Sequence, residues 1–252
     1  MKKIIINADD FGINEIVTAE IERMVDLGAI SSTTILANGE CLDEVETFAK
    51  EHQTVSFGVH LCLSEFSSVT KSEGLMKAGL TDEKGVFIHK AVFNLKDYKS
   101  EYVKLAIRDE LNAQIDIVSS LGFPVSHADS HHHVHTIYPL RKIFSEVLQS
   151  RGIKKIRLGG DFDTWRMKAH IGMWIQRQKI NRYYRRIFTT TDVFYSYAQF
   201  LQNNCPLSEG GVIELMCHPG HPGRQYQEEM VLVESKKVLT DNSIKLVSYN
   251  EL

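Results

Sequence analysis

No run of about 18 consecutive apolar residues occurs in this 252-residue chain, so no segment reads as a membrane-spanning helix. The opening MKKIIINADD sets two lysines before only three apolar residues, too short a stretch for a signal-peptide core. The four cysteines, Cys41, Cys62, Cys205 and Cys217, contain no CxxC pair and outline no secreted disulfide framework. A reducing, cytoplasmic setting is the expectation, with no membrane partner. One-sided charge is also missing. A net charge of -3 gives no general reason to expect nucleic acid or an acidic surface as a partner. There is no internal repeat and no low-complexity segment. NADDFG stands after the first apolar run, where a dinucleotide-binding open sheet carries a Gly-rich phosphate turn.

What is present is an alternation of short apolar runs with longer stretches of helical period. Residues 2–8, 32–37, 55–63, 154–158, 210–218 and 244–249 read as strands. A further strand is expected to follow FPVSHAD, and another near DVFYS. Helices are expected over 14–28, with Asn14 as N-cap, and over 43–52, 101–121, about 140–148, 168–186 and 227–240. The long connection 64–97 predicts a functional or disordered loop, with covering the substrate as its proposed role. With 43% apolar and 24% charged residues, residues 1–252 read as a single soluble domain. The expected class is α/β, with seven or eight mostly parallel strands surrounded by helices. The sheet would close, or nearly close, into a (β/α) barrel, with an open doubly wound sheet as the rival.

Barrel chemistry sits at the C-terminal strand ends, and the unusual polar residues fall there repeatedly. The first strand ends in Asp9 and Asp10, the third in His60, the fourth in Asp129 and the His run, and a late one in His218. Adjacent strand residues face opposite ways, so both aspartates can line one pocket only if the chain bends, which Phe11-Gly12 would permit. A cation would relieve the repulsion between the pair and leave one carboxylate free as a base. The pair alone fits a solvated turn before a helix equally well. In VSFGVHL, His60 shares a small-residue face with Ser56 and Gly58. A lone strand histidine is more often a satisfied core residue, but a place at the strand end favours a ligand.

HADSHHHVH, residues 127–135, holds five of the eleven histidines. If the chain stays extended, His127, Asp129, His131, His133 and His135 share a face and His132 points away. His131, beside Asp129, is then the expected metal ligand, because a ligating ring donates its other N–H to a carboxylate. His133 is a ligand, an outer partner or a substrate contact, and His132 and His135 are bystanders. His218, ahead of Pro219-Gly220, could act as a general acid near neutral pH, and His221 reads as a loop residue.

INADDFG, GVHLCL, HADSHHHVH and ELMCHPG together resemble the motifs of the YdjC-like carbohydrate deacetylases, the ChbG-like family that includes chitooligosaccharide deacetylase. They occur in the family's order and span residues 4 to 220. The resemblance implies a (β/α) barrel-like deacetylase fold, a divalent metal given as Mg2+, and hydrolysis of acetyl groups from N-acetylated sugars. It implies Asp9 as general base, Asp10, His60 and His131 as metal ligands, and His218 facing the leaving group. Asp129 and His133 stay as outer or substrate-binding residues. Two imidazoles are softer than Mg2+ prefers, so the donor set itself points toward Zn2+, Mn2+ or Co2+.

Two other classes use similar residues. One is a different metal-dependent barrel hydrolase, of amidohydrolase or metallophosphoesterase type. These place a His pair at the end of the first strand, where this chain has Asp-Asp. The other is a non-catalytic metal-binding protein that uses the His run alone. From Arg166 to Arg186, both included, there are seven Lys or Arg residues and no acid. They read as a solvated helix face or a homodimer contact, or as a receiver, through Arg182 or Arg185, for the phosphate of a phosphorylated sugar.

Overall fold

The computed structural model describes residues 2–160, 167–202 and 211–252. Arg166, Cys205 and the side chain of Lys168 lie outside the described residues. Seven strands there form one sheet: β1 (Lys2–Phe11), β2 (Ser32–Ile35), β3 (Ser56–Leu61), β4 (Ala128–Ser130), β5 (Val193–Ser196), β6 (Val212–Cys217) and β7 (Ile244–Leu246). The helices are α1 (Glu15–Asp26), α2 (Leu42–Glu51), α3 (Glu73–Lys77), α4 (Glu101–Ser120), α5 (Arg141–Ser150), α6 (Met167–Arg185), α7 (Tyr197–Gln202) and α8 (Arg224–Glu234). Asn14 caps α1 as the sequence predicts, its Oδ1 accepting the Val17 N–H at 3.0 Å.

The sheet order is β4-β3-β2-β1-β6-β5, with β7 added to β1, and every ladder between these strands is parallel. Neighbours follow chain order from β1 to β4 and return through β5 and β6 to β1. That is the order of a barrel, not of a doubly wound sheet. The expected strand 154–158 is reduced to single pairings, Ala128 with Ile156 and Lys155 with Thr189. Arg157 N–H reaches the Ala128 carbonyl at 3.0 Å, and Ile156 N–H reaches that of Thr189 at 3.2 Å. These bonds extend the sheet past β4 toward the segment that enters β5, so it curls round as a barrel-like α/β fold.

Period-two patterning decides what each face meets. Ile4, Ile6 and Ala8 of β1 join Phe57, Val59, Leu61, Ile213 and Leu215 in the main core, packed with apolar side chains of the helices. The alternate residue Ile5 belongs instead to a small separate cluster with Val247 and Tyr249. Asn7 and Asp9 follow Ile5 on that second face. Gly58 allows a close approach there, because a Cβ would stand 2.6 Å from the His127 ring. The ring itself stacks on Tyr249 with centroids 3.7 Å apart.

The connection 64–97 is not a structureless loop. It contains α3, a 3-10 turn at Ala91–Asn94 and antiparallel pairings of Ser67 with Val86 and of Thr81 with Phe87. Leu75, Leu80, Phe87 and Val92 are buried in the main core. The scattered glycines and polar residues hid this, because its four apolar anchors follow neither helical nor strand period. Toward the C-terminus the expected helix 227–240 divides into α8 and a 3-10 turn at Lys237–Thr240. β7 ends at Leu246, short of the expected 249, and a 3-10 turn follows at Tyr249–Glu251.

Candidate active site

The parallel register sets strand ends side by side. His60 pairs with Asp129 across β3 and β4, and Ala8 pairs with Cys217 across β1 and β6. The polar residues following each strand therefore meet at one end of the barrel. β1 needs a bend to aim both aspartates there, and the backbone turns left-handed at Asp10 itself as well as at Gly12 of the expected Phe11-Gly12, where φ is 88°. Asp10 has φ 69°, and the pairing with β2 shifts register between Ala8 and Phe11. A left-handed residue other than glycine is uncommon and costs free energy, and aspartate tolerates it better than most.

Asp9 and Asp10 then enter different environments. Asp9 is gripped by Arg157, whose Nη1 and Nη2 lie 2.6 and 2.7 Å from its two oxygens, while Asn7 Nδ2 donates to Oδ1 at 2.9 Å. Burial works against a charged carboxylate, but Arg157 outweighs it and holds Asp9 well below the usual carboxylate range. The same guanidinium reaches Asp129 Oδ2 at 2.6 Å and Glu214 Oε1 at 2.6 Å. Tyr249 O–H donates to the other oxygen of Glu214. Burial pushes the Glu214 carboxyl up to about 7, with Arg157 pulling the other way. Sequence reasoning missed Arg157, because KKIRL carries Lys154 and Lys155 as well and nothing local sets the arginine apart.

Asp10 faces imidazoles. Its Oδ1 lies 3.0 Å from His60 Nε2 and 2.8 Å from His131 Nδ1, and its Oδ2 lies 3.0 Å from His221 Nε2. The other nitrogen of His60 meets Asp129 Oδ1 at 2.6 Å, and Thr34 Oγ1 donates to Asp129 Oδ2 at 3.1 Å. Asp129, expected beside His131, thus stands behind His60 instead, because the β3–β4 register pairs those two. Burial opposes charge on His60, yet Asp129 and Asp10 on either side raise it well above the ordinary imidazole range. Asp10 is held well below the carboxylate range by His60 and His131 despite its burial.

Asp10, His60 and His131 each offer one ligand atom, all within 4.8 Å of one another. One carboxylate oxygen and two imidazole nitrogens suit a divalent ion, and His60 has Asp129 behind it as metal-ligating histidines usually have a carboxylate. These residues therefore fit a metal. Asp9, His60 and Asp129 also lie close together. There, however, Arg157 already contacts both carboxylates.

The His run does not stay extended. β4 stops at Ser130, and His131–Thr136 turn as a 3-10 segment with His132 and His133 at φ 52° and 55°. This breaks the alternation expected of a strand. His127 lies beneath the site, with Nε2 3.2 Å from Asn7 Oδ1. His132, expected to point away, lines the cavity, and so does His133. His135 is buried elsewhere, its Nδ1 paired with Ser130 Oγ. Burial drives the His133 ring down to about 3, and its Nδ1 has no hydrogen-bond partner.

His218 follows β6 on the opposite wall. Glu229 of α8 accepts its backbone N–H at 2.9 Å and lies 3.6 Å from its Nδ1. Burial opposes charge on this ring, but Glu229, Asp9 and Asp10 together raise it above the ordinary range. Gly220 lets the turn after it lie against α1, since a Cβ would stand 2.9 Å from the Ile16 carbonyl. His221 is a loop residue as expected, yet the turn brings it to the wall of the cavity. Its Nε2 is buried and lacks the alignment of a hydrogen bond despite its closeness to Asp10. Asp9, Asp10, His60, His131, His133 and His218 all face one cavity of about 480 Å3, with Glu65 and Tyr226 at its wall. Neither Arg182 nor Arg185 lines it.

A buried carboxylate and two imidazoles at the strand ends of a parallel barrel-like sheet form a donor set that could hold a divalent ion on an α/β fold. The chain belongs to the YdjC-like protein family, whose pattern it matches over residues 3–245. A carbohydrate deacetylase of Brevibacillus brevis is 26% identical, the alignment covering 99% of both chains. One of Clostridium beijerinckii is 27% identical over 99% of this chain and 100% of its own length. Another, from Vibrio parahaemolyticus, is 28% identical over 87% of this chain and 78% of its own. The fold matches the crystal structure of an Enterococcus faecalis protein provisionally named for cellobiose-phosphate cleavage. The TM-score is 0.76 at 24% identity, covering 99% of this chain and 98% of that one.

Proposed function

We propose that this protein is a metal-dependent carbohydrate deacetylase that hydrolyses the acetamide of an N-acetylated sugar, of chitooligosaccharide type, to acetate and a free amine. The observation that carries the reading is Asp10 Oδ1 lying 3.0 Å from His60 Nε2 and 2.8 Å from His131 Nδ1, in a cavity that Asp9 and His218 also face. The relatives' name, carbohydrate deacetylase, supports the substrate class.

Asp10, His60 and His131 would hold the divalent ion. The chemistry such an ion supplies is polarisation of the acetyl carbonyl and acidification of a nearby water. Asp9 accepts the proton of the attacking water. Its two-pronged contact with Arg157 keeps it ionised and aimed, and a carboxylate retains free lone pairs when both oxygens are engaged. His218 donates a proton to the departing nitrogen, and Glu229 behind it favours the protonated ring. His133, neutral and with an unfilled ring nitrogen, is a hydrogen-bonding contact for the sugar. Asp129 fixes His60.

Family resemblance favours Mg2+, and the imidazole pair favours Zn2+, Mn2+ or Co2+. Cys41, Cys62 and Cys217 are buried free thiols, which suits a reducing cytoplasm. No helix among the described residues is long and apolar enough to cross a membrane. A homodimer and a phosphorylated sugar remain proposals, the latter without Arg182 or Arg185 at the cavity.

The test is acetate release from short N-acetylglucosamine oligomers, with chelator treatment and metal add-back. Acetate that requires metal and disappears in Asp9→Asn is the expected result. Reducing ends without acetate would indicate a glycosidase. Metal uptake untouched by Asp10→Asn and His60→Ala would indicate a protein that binds through the His run alone.

A further inference from the structure

His131 is the one ring of the proposed metal triad whose partner comes from the 64–97 insertion. Its Nδ1 lies 2.8 Å from Asp10 Oδ1, and its Nε2 lies 3.0 Å from Glu65 Oε2. A neutral imidazole has a single N–H. If Nδ1 is the ligating nitrogen, the proton must sit on Nε2, and it then points at a carboxylate. We infer that Glu65 is a positioning residue that fixes the tautomer and ring plane of His131 so that Nδ1 faces the cation. The inference rests on the metal reading above and adds a residue to it.

The arrangement repeats the pair on the other ring with the nitrogens exchanged. His60 presents Nε2 to Asp10 and Nδ1 to Asp129 at 2.6 Å. The two supporting carboxylates differ in what holds them. Asp129 has a fully buried side chain and is locked by Arg157 and Thr34. Glu65 has a side chain 38% exposed, and among the described residues its ion-pair partners are rings only: His131, His132 at 3.8 Å and His89 at 3.4 Å. His132 turns its other nitrogen to Ser64 Oγ at 3.0 Å. One ligand ring is thus supported from the rigid sheet, and the other from the first residues of the insertion. The Glu65 side chain at the cavity wall is the part of the metal site that a sequence change can alter without disturbing the core.

Glu65, His131 and His132 also bring three ligand atoms within 4.8 Å of one another, so a separate ion at the cavity mouth is the competing use of the same groups. It would need the Nε2 that already serves Glu65, and His131 would then have to lose its remaining proton. One experiment separates the two uses. The full-length chain is stripped with chelator and titrated with Co2+, reading affinity and stoichiometry by calorimetry and site geometry from the visible absorption of the bound ion. Circular dichroism and melting confirm that each variant is folded.

The expected result is one equivalent of Co2+ in the wild type and a 10- to 100-fold weaker Kd in Glu65→Ala, the usual cost of losing such an outer partner. The Co2+ spectrum should change in that variant as well. Glu65→Gln, whose amide oxygen still accepts the N–H, should recover most of the affinity and the spectrum. His89→Ala and His132→Ala should leave both unaltered. Unchanged affinity and spectrum in Glu65→Ala overturn the inference. Two equivalents in the wild type, with one lost in both Glu65→Ala and His132→Ala, overturn it too, by making Glu65 a direct ligand of a second ion. A wild type that takes up no Co2+, or uptake that His60→Ala leaves intact, removes the metal reading itself. That failure is visible before any Glu65 variant is read.

Discussion

Arg157 and Asp9 lie 148 positions apart in the chain, and both guanidinium Nη atoms of Arg157 meet the two oxygens of Asp9, at 2.6 and 2.7 Å. Both side chains are essentially buried, and the same arginine contacts Asp129 and Glu214. Breaking a buried pair from one side leaves uncompensated charge, which costs about 3–5 kcal/mol. Arg157→Gln should lower the melting temperature sharply and abolish acetate release. Arg157→Lys keeps the charge but loses the planar fork. It should remain better folded than Arg157→Gln yet lose on the order of 100-fold in kcat/KM, because a displaced base is as damaging as an absent one. Wild-type turnover in Arg157→Lys would show that the two-pronged contact is irrelevant to the reaction.

His218 must carry a proton to serve as acid, and Glu229, Asp9 and Asp10 hold its ring above the ordinary imidazole range against the effect of burial. Asp9 must be ionised, and it is held well below the carboxylate range. Activity should therefore persist through neutral pH and fall on the alkaline side, as His218 deprotonates. His218→Ala should remove most activity together with that alkaline limb. Glu229→Gln should move the limb to lower pH. The check is kcat/KM from about pH 5.5 to 9.5 at saturating metal, and an alkaline limb that stays in place in Glu229→Gln would contradict the assignment.

Stability of the metal-free chain should peak near pH 6.5. Burial holds His133 at about 3 and His132 at about 4, and it keeps His127 and His135 well below the ordinary 6.5. For these four rings the unfolded chain binds more protons below 6.5, so stability falls as pH drops from 6.5 toward those values. His60 and His218 are raised instead. Their contribution is complete below 6.5 and is lost as pH rises through their folded values. Glu214, at about 7, opposes the acid-side loss as one group against four. Urea unfolding in chelator at pH 5, 6.5 and 8 should place the highest midpoint at the middle value. A midpoint that rises steadily to pH 5 would show the buried rings to be charged.

Glu110 of α4 anchors the insertion. Its side chain is buried and accepts the Val69 N–H at 2.8 Å, the Thr70 N–H at 2.9 Å, the Thr70 hydroxyl at 2.6 Å and Gln114 Nε2 at 2.8 Å. Each buried donor left without a partner costs about 1–3 kcal/mol. Glu110→Ala should therefore lower the melting temperature strongly, by more than Glu110→Gln, which can still accept from some of these donors. Limited proteolysis should find new cleavage within 64–97 in the alanine variant. A melting temperature equal to that of the wild type would mean that the insertion is held by its apolar anchors alone.

The sites of chemistry were partly legible because period-two patterning reports which strand face a residue takes. Asp9, His60, Asp129 and His218 could be placed at strand ends from their own neighbourhoods, and so could Asn14 at a helix start. His131 was chosen on a geometry, an extended His run, that the chain does not adopt. It still reaches Asp10, because β4 ends at Ser130 and sends it there. The bend at Asp10 and the turn through His132 and His133 were not legible, since left-handed backbone at a residue other than glycine is imposed by surroundings and not by preference. Arg157, Glu229 and Glu65 were missed for a related reason: each gains its meaning only from a partner that the fold brings to it from another segment.

The amino-acid order alone determined the alternation of strands with helices, the apolar faces, the cap of α1 and the residue types collected at the strand ends. These follow from local periodicity and side-chain chemistry, which act over a few residues. Tertiary structure decided which oxygen of which aspartate meets which imidazole nitrogen, which carboxylates Arg157 contacts, and that the insertion folds. Those outcomes depend on strand register and on the exclusion of water, which arise only when segments up to 148 residues apart are packed together.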